Sequence, residues 1–262
     1  MQTSSESHTN TKTPTPEARF AGRTIVVTGA GAGIGRATVL ALLAEGATVF
    51  AADIAQDRLR SLSEGAGTDR LSTFAADLTE EGAVDRFVAT AGDRIDGVAS
   101  VAGIFDGWLP PAEMDDNTWD NVLTLNVTVP MRLTRAVLPS MISAGRGALV
   151  YTSSLAGMRS SLSGAAYTTS KHALNGFAKS VAYYYGPMGV RANVVAPGAV
   201  RSAMDIAFQS ELAQERAVAA IATATAAVEP EVVTRALLWL LSDDSSNVNG
   251  AIMPTDNGWS TF

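Results

Sequence analysis

Cysteine is absent from the 262 residues, histidine occurs only twice, and charged residues make up just 17% of the chain. Each scarcity closes off chemistry. Without cysteine there is no disulfide, no thiolate metal site, no iron–sulfur cluster and no cysteine nucleophile. Of the two histidines, His8 lies in a Ser/Thr/Pro-rich stretch, which leaves His172 alone in the part expected to fold. A metal site built from several histidines is therefore excluded, and a Ser-His-Asp triad would have to use His172. Nineteen basic residues against 26 acidic ones leave a formal charge of −7, which argues against a general affinity for nucleic acid or an anionic membrane. The longest stretches free of Asp, Glu, Lys and Arg run 12 residues, Thr24 to Gly35 among them, whereas a spanning helix needs about 20 apolar residues. A soluble chain is expected. Residues 1–20, MQTSSESHTNTKTPTPEARF, contain no apolar run like a signal-peptide core and read as a polar, disordered lead-in.

What is present alternates. Short β-branched runs at 24–28 (TIVVT), 48–52 (TVFAA), 71–75 (LSTFA), 97–101 (GVASV), 147–153 (GALVYTS) and 190–196 (VRANVVA) read as buried strands, and 251–255 (AIMPT) as a shorter seventh. Helix-period segments lie between them, notably Ile34 to Glu45, Glu80 to Ala91, Asp115 to Ala144, Ala165 to Tyr185 and Pro230 to Leu241. This alternation predicts an α/β fold in which a parallel sheet is covered by helices on both faces. No linker or repeat divides residues 21–262, so one domain is expected. Residues 201–228 break the alternation at the carboxyl end of the sixth strand. That is where a lid sits in an open α/β sheet, and an extra packed helix fits the same composition.

After the first strand comes Thr28-Gly29-Ala30-Gly31-Ala32-Gly33-Ile34-Gly35. Glycines let the chain turn sharply and let a diphosphate approach the backbone at a helix start. The spacing through Gly29, Gly33 and Gly35 is Gly-x-x-x-Gly-x-Gly; alone, it also fits a plain strand-to-helix turn. Asp53 follows the second strand, 18 residues beyond Gly35. A carboxylate about 20 residues past such a loop accepts hydrogen bonds from an adenosine ribose and repels the extra phosphate of NADP. NAD is therefore expected over NADP, although a simple helix cap would also account for Asp53 taken singly.

Tyr167 and Lys171 are four residues apart, on one face of a helix. Ser154 precedes Tyr167 by 13 residues at a strand end. Such pairs are common on helix surfaces, but a nucleotide loop and a suitably spaced serine accompany this one. A phenol of pKa about 10 is too weak a base near neutrality, but a nearby ammonium and an oxidised nicotinamide ring both favour phenolate. Tyr167 can then exchange a proton with an alcohol or ketone that Ser154 holds in place.

With these motifs the sequence resembles the short-chain dehydrogenase/reductase family from Gly22 to Trp259. The resemblance rests on TGAGAGIG (28–35), Asp53, Asp77-Leu78, Ala102-Gly103, Asn126, Ser154, Tyr167-x-x-x-Lys171 and Pro197-Gly198. It implies a seven-stranded, doubly wound Rossmann sheet and a catalytic tetrad of Asn126, Ser154, Tyr167 and Lys171, with Asn126 holding a water that relays protons to Lys171. It also implies an NAD site formed by Gly29, Gly33, Ile34, Gly35, Asp53, Asp77, Leu78, Ala102, Gly103, Tyr167, Lys171, Pro197, Val200 and Ser202. Asp77 and Leu78 would border the adenine, and Val200 and Ser202 would meet the nicotinamide carboxamide. The family's Asn-Asn-Ala-Gly is here Ser100-Val101-Ala102-Gly103, so the hydrogen bonds of those asparagines have to come from elsewhere. A cytoplasmic homotetramer is implied, with the tyrosines 183–185 on the contact helix.

The expected activity is hydride transfer between NAD(H) and a hydrophobic secondary alcohol or ketone. Phe105, Trp108, Leu109, Leu155, Met158, Met204, Ile206 and Phe208 are candidate pocket walls, and Arg159 and Arg201 the cations that would contradict an apolar pocket. The alternatives are a 3-oxoacyl-[acyl-carrier-protein] reductase, a catalytically silent nucleotide-sensing scaffold and a Ser154 hydrolase. Against these stand, in turn, Asp53 with the acidic charge, the complete Ser-Tyr-Lys set, and the lack of a suitably placed histidine. His172 adjoins Lys171 and points about 100° around the helix from it.

Overall fold

Valine, isoleucine and threonine crowd the runs read as strands, where branched side chains fill a pleated buried surface. In the computed structural model each run is a strand: β1 (Thr24–Thr28), β2 (Thr48–Asp53), β3 (Leu71–Ala75), β4 (Gly97–Ser100), β5 (Gly147–Thr152), β6 (Val190–Pro197) and β7 (Ile252–Thr255). All seven pair in parallel in the order β3-β2-β1-β4-β5-β6-β7. The order reverses between β1 and β4, and ligands of open α/β sheets bind beyond the carboxyl ends at such a switch.

The structure describes residues 18–261 apart from positions 203 and 205. Residues 1–17 of the expected lead-in lie outside the described residues. The last of that lead-in is held fast: Phe20 is fully buried in the core and Arg19 pairs with Glu45 at 2.6 Å.

The helices are α1 (Gly33–Ala44), α2 (Gln56–Ala66), α3 (Ala83–Thr90), α4 (Asp116–Leu123), α5 (Val129–Ala144), α6 (Ala165–Tyr185), α7 (Glu211–Ala222) and α8 (Pro230–Leu241). Alternation along the strands splits the core in two. Ile25, Val27 and Val49 join Leu42 of α1, Leu62 of α2 and Leu237 of α8 on one face. Val26, Val98 and Tyr151 join Phe87 of α3, Leu133 of α5 and Leu174 of α6 on the other. The sheet is therefore doubly wound, as expected.

Two helical details differ from the sequence reading. The segment read as one helix from Asp115 to Ala144 is broken by a wide π-turn over Thr124–Thr128. A helix absent from that reading, α2, follows β2 and buries only Leu59 and Leu62. The region 201–228 contains α7, and its two ends are joined by a parallel bridge between Val200 and Val228. Among the described residues no helix is long and apolar enough to cross a membrane.

Candidate active site

The glycine loop is tight for steric reasons. Gly29 has φ +69°, and a Cβ there would stand 2.8 Å from the Ala102 backbone; on Gly35 it would stand 2.0 Å from the Gly29 carbonyl oxygen. The Gly29 loop after β1 therefore lies directly against the loop after β4. Thr28 Oγ1 fastens the two, accepting from the amides of Val101 at 3.1 Å and Ala102 at 3.3 Å. That hydroxyl secures the loop in which Ser100-Val101 replaces the asparagine pair. Gly33, φ +50°, lies under Ser202, its notional Cβ 3.5 Å from the serine Cβ. Pro197 ends β6, Val200 packs against the first core face, and Ser202 is exposed. The segment after β6 thus reaches over the glycine loop.

Asp53 terminates β2 with its carboxylate turned to the same loop. Oδ2 accepts from the Gly31 amide at 2.8 Å and Oδ1 from the Ala55 amide at 2.9 Å. A carboxylate offers about four acceptor positions, so capacity remains for two further donors. The sequence reading did not single out Gly31, yet a Cβ there would stand 2.8 Å from Asp53 Cγ. Nor did it place Arg58, whose Cβ would be 3.0 Å from that same notional atom. Arg58 reaches this loop on α2, a helix with only Leu59 and Leu62 buried among charged and polar residues. Asp77 closes a turn by accepting from the Thr79 amide and hydroxyl at 2.8 and 2.6 Å, and Leu78 is buried with the second core face.

The other half of the site stands on α6. Its inward stripe of Tyr167, Lys171, Leu174, Ala178 and Val181 follows the helical repeat, so the packing that buries the apolar residues also buries the tyrosine and the lysine. Lys171 Nζ lies 5.2 Å from the Tyr167 ring centroid and donates to the Thr152 carbonyl at 3.0 Å. Ser154, at the turn after β5, faces the Tyr167 phenol and accepts from the Ala156 amide at 3.1 Å. Asn126 is fully buried on the π-turn. Its Oδ1 accepts from the Ile104 amide at 2.9 Å, while Nδ2 donates to the Ile104 carbonyl at 3.0 Å and to Ser170 Oγ at 3.1 Å. A Cβ on Gly103 would stand 3.1 Å from Asn126 Oδ1 and 3.4 Å from Lys171 Nζ, so glycine lets both approach. Sequence separation notwithstanding, Asn126, Ser154, Tyr167 and Lys171 meet at one point.

Burial governs the protonation of this cluster. It pushes the Tyr167 phenol up to about 12; the Ser154 hydrogen bond pulls the other way, and the charge of Asp106 adds to the rise. Burial alone lowers the Lys171 ammonium to about 8. Burial is thus the largest influence on both groups.

Phe105 lies 4.8 Å from the Tyr167 ring, Trp108 meets Phe105 edge-on at 5.5 Å, and Phe208 stacks on Trp108 at 4.6 Å. Trp108 also donates from Nε1 to the Ile206 carbonyl at 3.0 Å. These aromatic residues join the loop after β4 to the 201–228 segment. Leu109 and Leu155 are buried, whereas Met158, Met204 and Ile206 are exposed. Arg201 pairs with Glu229 at 3.1 Å, and Arg159 donates to the Ser260 carbonyl at 2.6 Å. His172 is exposed and contacts the Thr168 carbonyl at 2.9 Å.

Comparison with known proteins agrees with this architecture. The family model for short chain dehydrogenases matches residues 23–213. 3beta-hydroxysteroid dehydrogenase 2 of Eggerthella lenta is 35% identical over 93% of this chain and 96% of its own. The crystal structure of levodione reductase superposes with a TM-score of 0.83 at 30% identity, covering 92% of this chain and 99% of that one. A protein of Beutenbergia cavernae assigned as an NAD(P) dependent gluconate 5-dehydrogenase, with NADP bound at low occupancy, also gives a TM-score of 0.83, at 31% identity and 92% and 98% coverage. The chain belongs to the short-chain dehydrogenase/reductase family of oxidoreductases.

Proposed function

We propose that this protein interconverts a small or medium hydrophobic secondary alcohol and its ketone, with NAD(H) as the hydride carrier. The observation that carries the reading is the buried Tyr167 side chain, faced by Ser154, with Lys171 Nζ 5.2 Å from its ring. Tyr167 takes the alcohol proton during oxidation and returns it to the ketone oxygen during reduction. Ser154 hydrogen-bonds that oxygen and holds it beside the phenol. Lys171 supplies the charge that favours phenolate. Both amide hydrogens of Asn126 are committed to protein partners, so a relay water on Asn126 is bound through oxygen acceptors.

The cradle fits a dinucleotide. Side chains are missing where Gly29, Gly33 and Gly35 come close to backbone or to Ser202, and Asp53 faces the same loop. Gly29, Gly33, Ile34 and Gly35 hold the diphosphate, Asp53 the ribose, Asp77 and Leu78 the adenine, and Ala102, Gly103, Pro197, Val200 and Ser202 the nicotinamide half, with Tyr167 and Lys171 beside it. When bound, the dinucleotide gives or accepts the hydride. NAD is preferred because a 2′-phosphate would lie against the Asp53 carboxylate. Phe105, Trp108 and Phe208 wall an apolar substrate space, 201–228 acts as its lid, and residues 21–262 act as one domain. A homotetramer is formed through the face carrying Tyr183 and Tyr184, which are 77% and 65% exposed on the protomer.

The reading is tested with a panel of alicyclic and linear secondary alcohols, following absorbance of the reduced cofactor with NAD and with NADP. Turnover of the bulkier apolar alcohols with NAD is expected. No turnover of any alcohol, or a strong preference for NADP, overturns the reading of the reaction or of Asp53 respectively.

A further inference from the structure

The first turn of a helix carries amide hydrogens without partners inside the helix, and a side chain at the N-cap ordinarily satisfies one of them. The N-cap of α6 is Gly164, which has no side chain to do so. Asp106, from the loop after β4, takes its place across a gap of 61 residues. Its Oδ2 accepts from the Tyr167 amide at 2.8 Å and its Oδ1 from the Gly164 amide at 3.1 Å. The Leu109 carbonyl accepts from the next amide, Ala165, at 2.9 Å. A methyl on Gly164 would stand 2.5 Å from both Asp106 Oδ2 and the Leu109 nitrogen, so the residue that lets the carboxylate in cannot itself provide the cap.

The same carboxylate shapes its own loop. Asp106 Oδ1 also accepts from the Trp108 amide at 3.2 Å, and Trp108 holds a left-handed φ of +62°, which a bulky residue adopts only under local constraint. From that conformation the indole reaches Ile206 and Phe208. Asp106 is 2% exposed, and among the described residues its charge is met by backbone amides rather than by a Lys or Arg.

We propose that Asp106 is a positioning residue that fixes both Tyr167 at the start of α6 and the loop carrying the Phe105 and Trp108 wall. The proposal rests on Tyr167 being the proton-transferring group. The charged groups facing that phenol are Lys171 from its own helix and Asp106 from the loop after β4; the turn after β5 presents the uncharged Ser154.

The test is Asp106→Asn, which keeps size but turns one acceptor into a donor facing a backbone amide. With an alicyclic secondary alcohol and NAD, kcat falls at least about tenfold, since displacements near 1 Å at a reacting group cost about 100-fold. The Kd for NADH stays within about twofold. Removing the carboxylate charge also moves the acid limb of the oxidation profile to lower pH, which a merely structural role would not do. Hydrogen exchange quickens at residues 164–168 and 106–109 and stays unchanged in α1. Wild-type kcat, an unmoved pH limb, or uniformly raised exchange with weakened NADH binding overturns the proposal. If Asp106→Asn does not fold, Gly164→Ala displaces the carboxylate instead and is read by kcat, NADH Kd and hydrogen exchange, the pH limb being uninformative because the charge is kept. If the wild type oxidises no alcohol, the functional reading fails, and exchange alone decides: unchanged protection at 164–168 then refutes the role of Asp106.

Discussion

A methyl group added at Gly35 and one added at Gly65 should act in opposite directions. At Gly35 the new carbon would stand 2.0 Å from the Gly29 carbonyl oxygen and 2.6 Å from its carbon, both backbone atoms. Ordinary contact begins near 3.4 Å, so the loop must open by more than an ångström. Gly29 cannot yield toward β4, because its own face already lies against the Ala102 backbone. The loop is pushed toward the space assigned to the diphosphate. Overpacking of this kind costs about 1–3 kcal/mol, or about 2–12 °C in Tm for a chain of this size. The Kd for NADH should rise at least about tenfold, which corresponds to about 1.4 kcal/mol. Gly65 sits on the exposed side of α2, where a Cβ would meet only the end of the Arg36 side chain at 3.8 Å, an ordinary contact. Alanine there removes the cost of a helical glycine, about 0.5–1 kcal/mol, and should raise Tm by about 1–4 °C with NADH binding unchanged. Differential scanning fluorimetry and NADH fluorescence titration read both variants. Gly35→Ala binding NADH as tightly as the wild type would refute the placement of the diphosphate.

Further outcomes follow from the charges around the site. Asp53→Asn removes the carboxylate that would meet a 2′-phosphate; two unit charges about 4 Å apart at an effective dielectric of about 20 repel by about 4 kcal/mol. The ratio of kcat/KM for NAD over NADP should therefore fall more than about tenfold. A ratio that stays constant in initial-rate assays would move cofactor choice to Arg58 or elsewhere. Since burial raises the Tyr167 phenol and oxidation needs it deprotonated, oxidation should speed up with rising pH, while ketone reduction, which needs the proton, should slow on the alkaline side. Replacing Lys171 by Met should move both profiles to higher pH by at least about one unit; an unmoved profile would remove Lys171 from the proton chemistry.

The central strands were legible because their buried runs are rich in branched residues, and β1 and β3 keep the bounds read from sequence, although the edge strands β3 and β7 are largely uncovered rather than buried as read. The helix carrying Tyr167 was legible to the residue, since its apolar stripe is regular throughout. Helix α2 was not, because Leu59 and Leu62 are its only buried residues among charged and polar ones. That omission hid Arg58. The π-turn over Thr124–Thr128 turns Asn126 inward within an otherwise helical pattern, and one extra residue in a turn leaves no period to detect. Gly31 stood in plain sight in the loop, but its role depends on Asp53 folding back over it. Asp106 carried the least signal. Asp-Gly reads locally as a turn, and its partners Gly164 and Tyr167 become neighbours only once β4 and β5 lie side by side.

The central claim is that the Tyr167 hydroxyl moves the proton that accompanies hydride transfer. Tyr167→Phe keeps the buried ring against Phe105 and removes only that oxygen. With a turned-over secondary alcohol and saturating NAD, kcat should fall by about a hundredfold or more, while the NADH Kd measured by fluorescence titration stays at the wild-type value. A Tyr167→Phe protein that turns over at the wild-type rate would contradict the account.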